Sequence, residues 1–296
     1  MSQYHGRGGP GEIATTPGAS INYVDDERSA GVALPPASKS AARVYSTALG
    51  MHKRLTLPDG SRAHLNSASS ISVSISPSSR SIELIAGEAL FEVNHESARP
   101  FRVKSGRSVI EDIGTAFDVY KKPHSTRVLV VDGRIKISRI ATGSRSGPND
   151  SRVHEGNIES NALSAEFHKG QQIELPDDSD GSAYTRSNLL DAELSRLTAW
   201  REGRIEYQGE PLEQAVEEFG RYHTERFILA DEALRKLKIG GSISTSNVDQ
   251  FLLMLRLEFD IRSDRSLEAD GSTTITLTSG SPKRHRTIAR DETEDP

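Results

Sequence analysis

The chain has 296 residues, a net charge of −5 and no cysteine, and 34% of its residues are hydrophobic. This length is sufficient for two domains, and the low hydrophobic share indicates disordered ends around a folded centre. The lack of cysteine excludes disulfides, thiolate metal sites and cysteine nucleophiles. The net negative charge gives no indication of nucleic-acid binding.

Both ends of the chain are predicted to be disordered. Residues 1–42 are rich in Gly, Pro, Ser and Ala without hydrophobic periodicity, and residues 280–296 form a charged tail. The first 20 residues lack the apolar stretch of a signal peptide, and no apolar run is long enough for a membrane helix. We therefore expect neither element in the chain as written.

Residues 43–178 carry the pattern of a β-rich domain. Short alternating segments such as ISVSI at 71–75 are separated by turn signals every 8–12 residues. Asp132-Gly133 is typical of a β-hairpin turn, and FHKGQQIEL at 167–175 predicts one more strand pair. The polar stretch 141–163 predicts a mobile loop. This pattern favours an antiparallel β-sandwich or jelly-roll-like fold.

A smaller α+β domain is predicted at residues 199–279, after a linker and helix at 179–198. The predicted order is β-α-β followed by β-α-β-β. Pro211 suits the first position of a helix, and Asn247 with Gln250 forms a capping signature for another. The predicted fold class is thus mostly β, with two domains of different class.

The sequence offers few residues for catalysis or metal binding. His52, His64, His95 and His124 are scattered in or near the β-rich domain, form no paired metal motif and are expected on the surface. No P-loop or nucleophile-elbow spacing is present. A carbohydrate- or metal-binding β-sandwich enzyme is the weaker alternative. We expect no enzyme activity on a small-molecule substrate, no cofactor and no metal.

Four apolar residues of the predicted second domain are candidate anchors for a partner-binding domain. They are Trp200, Leu212, Phe219 and Leu252. Trp200, the only tryptophan, suits either a core or a partner contact. Leu212 and Phe219 lie on one predicted helix face and Leu252 on another, and both faces suit a core more simply than a groove. The strand edges of this domain are a further candidate site, for β-augmentation.

Several long segments resemble the FecR family. They include LTLPDGSRAHLNSASSISV at 55–73, IELIAGEALFEVNHESARPFRVKSG at 82–106 and AWREGRIEYQGEPLEQAVEEFGRY at 199–222. The segments IGTAFDVY, VLVVDGRIKIS and LKIGGSI also follow the family's order. The resemblance covers about residues 44–279.

The resemblance implies a role in cell-surface signalling of Gram-negative bacteria. FecR-like proteins are inner-membrane regulators in which an anti-sigma segment and one membrane helix precede a periplasmic β-rich domain. Their C-terminal part is similar to the short N-terminal domain of secretins and TonB-dependent receptors, and it contacts the signalling domain of an outer-membrane TonB-dependent transducer. Transducer occupancy, often by an iron chelate, is thereby relayed to an extracytoplasmic-function (ECF) sigma factor.

This chain departs from the family pattern at its N-terminal end. The resemblance starts near Arg43, and residues 1–42 resemble neither the anti-sigma segment nor the membrane helix. We expect a truncated or mis-started member, or the periplasmic portion alone, with no residue here that binds the sigma factor. An envelope interaction module without sigma-factor control is the alternative.

The stretch DIGTAFDVY at 112–120 holds a candidate site of self-cleavage. It alternates like a strand, with Ile113, Phe117 and Val119 on one face, but Gly114-Thr115 interrupts it. Some FecR-like regulators cleave themselves at a Gly-Thr bond by an N–O acyl shift, and Gly114-Thr115 resembles that position. The alternative is that the glycine serves only a strand bulge.

Overall fold

The computed structural model describes residues 23–25, 42–140, 161–177 and 182–280. Fourteen strands form the N-terminal β-rich part: β1 (Tyr23–Asp25), β2 (Arg43–Ser46), β3 (His52–Thr56), β4 (Arg62–Leu65), β5 (Ser70–Ile75), β6 (Arg80–Glu92), β7 (Phe101–Ser105), β8 (Ser108–Asp112), β9 (Ala116–Lys121), β10 (Ser125–Asp132), β11 (Arg134–Ile140), β12 (Asn161–His168), β13 (Gln171–Pro176) and β14 (Thr185–Asn188).

The 13-residue strand β6 belongs to two sheets. Its first half pairs with β5 and β7, in a sheet of order β2-β5-β6-β7-β8-β11-β12. Its second half pairs with β4 and β9, in a sheet of order β1-β3-β4-β6-β9-β10-β13-β14. We call these the first and the second sheet. The predicted antiparallel pairing is found throughout, except that β6 with β7 and β1 with β3 are parallel.

One hydrophobic core lies between the two sheets. The first sheet contributes residues such as Ile82 and Ile110, and the second sheet contributes Phe91, Phe117 and Val119, all fully buried. Strict alternation places every second residue of these strands in this core. The predicted β-rich sandwich is therefore confirmed, and the faces predicted for Phe117 and Val119 are correct.

The predicted Asp132-Gly133 hairpin is wrong. β10 and β11 flank this pair, but β10 pairs with β9 and β13, whereas β11 pairs with β8 and β12. The chain turns a corner from one sheet to the other instead of folding back on itself. Residues 167–175 behave in the same way, because β12 and β13 lie in different sheets.

The C-terminal part of the chain forms a smaller α+β unit. After α1 (Asp191–Leu197) and a 3₁₀ helix (Ala199–Glu202), it contains β15 (Arg204–Pro211), α2 (Leu212–Gly220), β16 (Arg226–Leu229), α3 (Glu232–Arg235), β17 (Lys238–Ser244), α4 (Val248–Phe259), β18 (Ile261–Leu267) and β19 (Thr273–Ser279). β15 pairs with β17, and a second sheet has the order β16-β19-β18.

Local signals fix the helix starts of this unit. Asn247 accepts a hydrogen bond from the Gln250 amide at 2.9 Å, which is the N-cap that the sequence predicts for α4. The sequence predicted Pro211 as the first residue of α2, but the helix begins one residue later, at Leu212. The short strand β14 and the single-turn helix α3 were not predicted from the sequence.

The predicted disordered ends and the predicted loop lie mostly outside the described residues. Within residues 1–42, the structure describes strand β1 at Tyr23–Asp25, whose backbone pairs with β3. Strand β12 begins at Asn161, inside the segment predicted as a loop. The proposed domain boundaries stay predictions.

Candidate functional site

The Gly114–Thr115 bond lies where the chain crosses from one sheet to the other. Strand β8 ends at Asp112 in the first sheet and β9 begins at Ala116 in the second. DIGTAFDVY is therefore not one strand with a bulge, as the sequence suggested, but two strands joined by a three-residue crossing. Both sides of the bond are held in place, since the Ile113 amide donates to the Arg134 carbonyl and the Val93 amide donates to the Thr115 carbonyl.

A single carboxyl group contacts both residues of this bond. The Gly114 amide donates to Asp112 Oδ2 at 3.0 Å, and the Thr115 hydroxyl donates to Asp112 Oδ1. Burial raises the pKa of Asp112, and these two hydrogen bonds oppose the rise only in part. The site thus pairs a hydroxyl with a carboxylate that is more basic than usual.

The backbone at the corner between β10 and β11 packs closely against the Gly114–Thr115 bond. A Cβ added at Gly133 would lie 2.2 Å from the Gly114 carbonyl oxygen and 2.9 Å from Thr115 Cγ2. Gly133 has φ +73° and Gly114 has φ +89°, a region that disfavours other residues. Glycine is therefore required at both positions, by backbone angle at each and by close approach at Gly133. The sequence did not reveal that they meet.

The outer face of the second sheet carries buried charges. Glu88 Oε1 accepts from Arg127 Nη2 at 2.5 Å, and Glu88 Oε2 accepts from Arg221 Nη2 at 2.5 Å. Asp118 Oδ1 lies 3.6 Å from the same Arg127 nitrogen. The Arg221 guanidinium carbon lies 3.9 Å from the centre of the Tyr120 ring. We call these five residues the domain junction, because Arg221 comes from the C-terminal unit and the others come from the sheet.

The two carboxyl groups of the junction differ in charge. Burial alone raises the pKa of Glu88, but the two guanidiniums outweigh burial and hold it well below its usual range. Burial and the neighbouring Glu88 charge raise the pKa of Asp118 well above its usual range. Glu88 therefore binds both arginines as a carboxylate, and the raised pKa of Asp118 favours its protonated form.

Other contacts extend the junction between the sheet and the C-terminal unit. Asn66 Nδ2 donates to Glu88 Oε2 at 2.6 Å and lies 3.0 Å from the Tyr222 hydroxyl. The Ser67 hydroxyl donates to the Arg221 carbonyl at 2.8 Å. Leu90, on the outer face of β6, belongs to the hydrophobic core of the C-terminal unit. The two parts of the chain therefore pack together through both charged and apolar contacts.

Two histidines predicted on the surface are buried at this interface. The His52 ring stacks on Trp200 with ring centres 6.1 Å apart, and His64 Nε2 lies 3.2 Å from Glu92 Oε1. Burial lowers the pKa of both, to about 4 for His64. The surface prediction is wrong here because the C-terminal unit covers strands β3 and β4. His95 and His124 are exposed as expected.

The four candidate partner-binding anchors are all buried. Trp200, Leu212, Phe219 and Leu252 lie in the hydrophobic core of the C-terminal unit. Their side chains hold this unit together, so a partner would meet other residues. The simpler expectation for these helix faces, that they form a core, describes what the structure contains.

The most exposed apolar residues of the C-terminal unit lie on α4 and β18. Leu253 is 53% exposed, Leu257 is 73% exposed, and Leu267 is 78% exposed. Leu253 and Leu257 are one helical turn apart. Arg265 Nη2 on β18 contacts Asp249 Oδ1 on α4 at 2.5 Å, and Leu267 shares the strand face of Arg265. We call these three exposed leucines the apolar patch.

Within the described ranges, no group of three or more His, Asp or Glu side chains could hold a metal ion. Among those same residues, no helix combines the length and apolar character needed to cross a bilayer.

Comparisons with known proteins agree with the sheet architecture. The family described as FecR protein matches residues 43–136. Two crystal structures of a candidate anti-sigma factor from Parabacteroides distasonis have TM-scores of 0.59 and 0.57 at 20% identity. The matched region spans 81% and 80% of this chain, respectively, and 100% of the chain in each crystal structure. No curated protein matches the chain. At this identity the structural likeness shows the fold, and the family match shows that the chain carries a FecR domain over residues 43–136.

Proposed function

We propose that the chain is the sensing part of a FecR-type anti-sigma regulator, located in the periplasm and anchored to the inner membrane in the intact protein. It relays occupancy of a TonB-dependent outer-membrane transducer to an ECF sigma factor, in the regulation of iron or siderophore uptake. The FecR match over residues 43–136 and the shared fold with a candidate anti-sigma factor support this proposal.

The C-terminal unit is the proposed receiver of the signal. Residues 199–279 resemble the short N-terminal domain of secretins and TonB-dependent receptors, and they would bind the signalling domain of the transducer. The observation that carries this proposal is the exposed edge of β18. Within the described part of the chain β18 pairs only with β19, and six of its seven residues are exposed. Its second edge can accept a partner strand, and the exposed Leu267 of the apolar patch belongs to this strand.

A binding experiment with surface variants tests this receiver. The double variant Leu253→Asp with Leu257→Asp should weaken binding of the transducer's signalling domain at least about tenfold, because it places two charges where apolar contacts form. The control is Leu190→Asp, since Leu190 is 74% exposed and precedes α1. Titration calorimetry measures both. Unchanged affinity in the double variant would contradict the proposed surface.

A second activity, self-cleavage at Gly114–Thr115, is favoured by one specific observation. The Thr115 hydroxyl already contacts a carboxylate that can activate it, and Gly133 packs against the Gly114 carbonyl oxygen. Purified chain should yield fragments 1–114 and 115–296, and Thr115→Ala should stay intact. Mass spectrometry distinguishes these outcomes, and an intact wild-type chain after long incubation would speak against the activity.

A further inference from the structure

We propose that the Asp112 carboxylate accepts the proton of the Thr115 hydroxyl and returns it to the Thr115 nitrogen during cleavage of the Gly114–Thr115 bond. This inference rests on the self-cleavage proposed above and names the group that drives it. Asp112 would be a catalytic residue, because it contacts the reacting hydroxyl directly.

The placement of Asp112 suits proton transfer from the Thr115 hydroxyl. One of its oxygens accepts from the Thr115 hydroxyl and the other accepts from the Gly114 amide at 3.0 Å. The carboxyl group therefore spans the residue whose carbonyl is attacked and the residue that attacks. Asp112 is 7% exposed and Thr115 is 6% exposed, so solvent competes little for the hydroxyl. A proton acceptor must lie within hydrogen-bond reach, and this one does.

The electrostatic surroundings favour a basic carboxylate. Burial, the largest influence, raises the pKa of Asp112, while positive charge on Arg80 and His95 lowers it. His95 is exposed, and its Nδ1 would lie 3.2 Å from a Cβ built on Gly114. Of these neighbours, only Asp112 has a hydrogen bond to the Thr115 hydroxyl in the structure.

The reaction balances without any co-reactant other than water. Asp112 takes the hydroxyl proton as Thr115 Oγ1 bonds to the Gly114 carbonyl carbon, which gives a tetrahedral oxyanion. The same proton then passes to the Thr115 nitrogen, the C–N bond breaks, and an ester joins Gly114 to the Thr115 side chain. Water opens the ester, which leaves a carboxylate on Gly114 and a free amine and hydroxyl on Thr115.

Asp112→Asn in the full chain tests this role. Asparagine keeps the shape and one acceptor oxygen, but it cannot take up a proton. Removal of a general base typically costs about 100-fold or more in rate, so we expect at least that loss in fragment formation by mass spectrometry. The matched control is Asp132→Asn, which changes an exposed aspartate at the neighbouring corner and should cleave like wild type. Equal thermal unfolding of the two variants would show that both are folded.

Hydroxylamine and pH show whether Asp112 acts in formation of the ester or in its hydrolysis. Hydroxylamine opens esters, so it should accelerate wild-type cleavage but leave Asp112→Asn slow, because the ester does not form. If hydroxylamine restored the variant to the wild-type rate, the carboxylate would serve only hydrolysis and the proposal would fail. The wild-type rate should also fall in acid as Asp112 becomes protonated, with an apparent pKa above that of an ordinary aspartate.

The outcomes separate the two proposals. A wild-type chain that stays intact, with or without hydroxylamine, would overturn self-cleavage and this inference together. A wild-type chain that cleaves while Asp112→Asn cleaves equally fast would overturn only the role of Asp112.

Discussion

The two buried carboxyl groups of the domain junction have pKa values shifted in opposite directions. Glu88 has a lowered pKa and binds Arg127 and Arg221, while the raised pKa of the neighbouring Asp118 favours its protonated form. A buried ion pair contributes little net stability when complete, but leaving one partner unpaired is costly. The two carboxyl groups should therefore respond very differently to the same kind of substitution.

Replacing each carboxyl group by the matching amide should change the free energy of unfolding by different amounts at Glu88 and Asp118. Glu88→Gln removes the negative charge shared by two guanidiniums and should lower the free energy of unfolding by about 3–5 kcal/mol. Asp118→Asn replaces a protonated carboxyl with a neutral group of the same shape and should cost about 1 kcal/mol or less. Urea unfolding at pH 7 measures both. Equal losses would show that Asp118 is ionised.

The buried histidines make the packing of the two units sensitive to acid. The pKa of His64 is about 4 in the folded chain and 6.5 when unfolded, so the unfolded state binds more protons between these values. The contribution of neutral His64 to the free energy of unfolding should therefore be complete above pH 6.5 and should decrease as the pH is lowered toward 4. For His64 alone, the loss from pH 7.5 to pH 5 is about 2 kcal/mol.

The variant His64→Gln isolates the contribution of His64 to the pH dependence of stability. Glu92, Arg54 and Arg201 also act on His64, and the pKa of Glu92 is lowered. His64→Gln should therefore flatten the dependence of unfolding temperature on pH in that range. Replacement of the exposed His124 by Gln should leave the wild-type slope. A wild-type slope in His64→Gln would show that the ring is not buried as a neutral group.

Among the elements, β6 is the strand on which the sandwich depends, because it runs through both sheets. Gly87 lies where the two halves part, with φ +76°, and a Cβ there would lie 2.3 Å from Ser69 Oγ and 2.7 Å from Ser69 Cα. The backbone of Ser69 cannot move aside as a flexible side chain would. The bend of β6 therefore needs glycine for space as well as for backbone angle.

Gly87→Ala measures the steric part of this requirement. Gly271 has a similar φ of +84° with nothing within 4 Å of an added Cβ, so Gly271→Ala reports the cost of the backbone angle alone. That cost is about 1–2 kcal/mol. Gly87→Ala should lower the free energy of unfolding by about 1–3 kcal/mol more. Equal effects of the two substitutions would mean that β6 can relax around the new methyl group.

The strands were predictable from sequence, but their partners were not. Alternation identified segments such as 71–75, and the Asn247 cap marked the start of α4. Asp132-Gly133 has the same local signature in a hairpin and in a corner between sheets, because the turn does not encode which strands pair beyond it. The contact of Gly133 with Gly114 depends on that pairing, so the candidate bond could be named but its surroundings could not.

The burial of charged strand positions could not be predicted for a related reason. Glu88, Asp118 and Arg127 alternate with core residues, and such a pattern normally indicates a face in water. Only the position of the C-terminal unit shows that this face is covered. His52 and His64 were assigned to the surface by the same reasoning.

At the scale of the whole molecule, the two sides of Gly114–Thr115 are interleaved. β9 follows the bond and pairs with β6 at six positions, and β11 follows it and pairs with β8 at five. Glu88 precedes the bond, while Arg127 and Arg221 follow it. Opening the bond would therefore leave the fold assembled.

Cleaved protein should accordingly behave as one particle. Fragments 1–114 and 115–296 should elute together at the volume of the intact chain in gel filtration and separate only in denaturant, because the sandwich core includes side chains from both. A Glu88→Gln variant should release its fragments at a lower urea concentration. Separate elution of the wild-type fragments in buffer would contradict the interleaved arrangement.

The long strand β6 also determines how the molecule would bear tension. While the Gly114–Thr115 bond is intact, a pull on the C-terminal end is transmitted to the N-terminal end through the covalent backbone. Once the bond is open, the same pull must pass through non-covalent contacts, among them the six pairs between β6 and β9 and the two arginines on Glu88. Cleavage would then turn a continuous covalent tether into a non-covalent coupling with a finite breaking force.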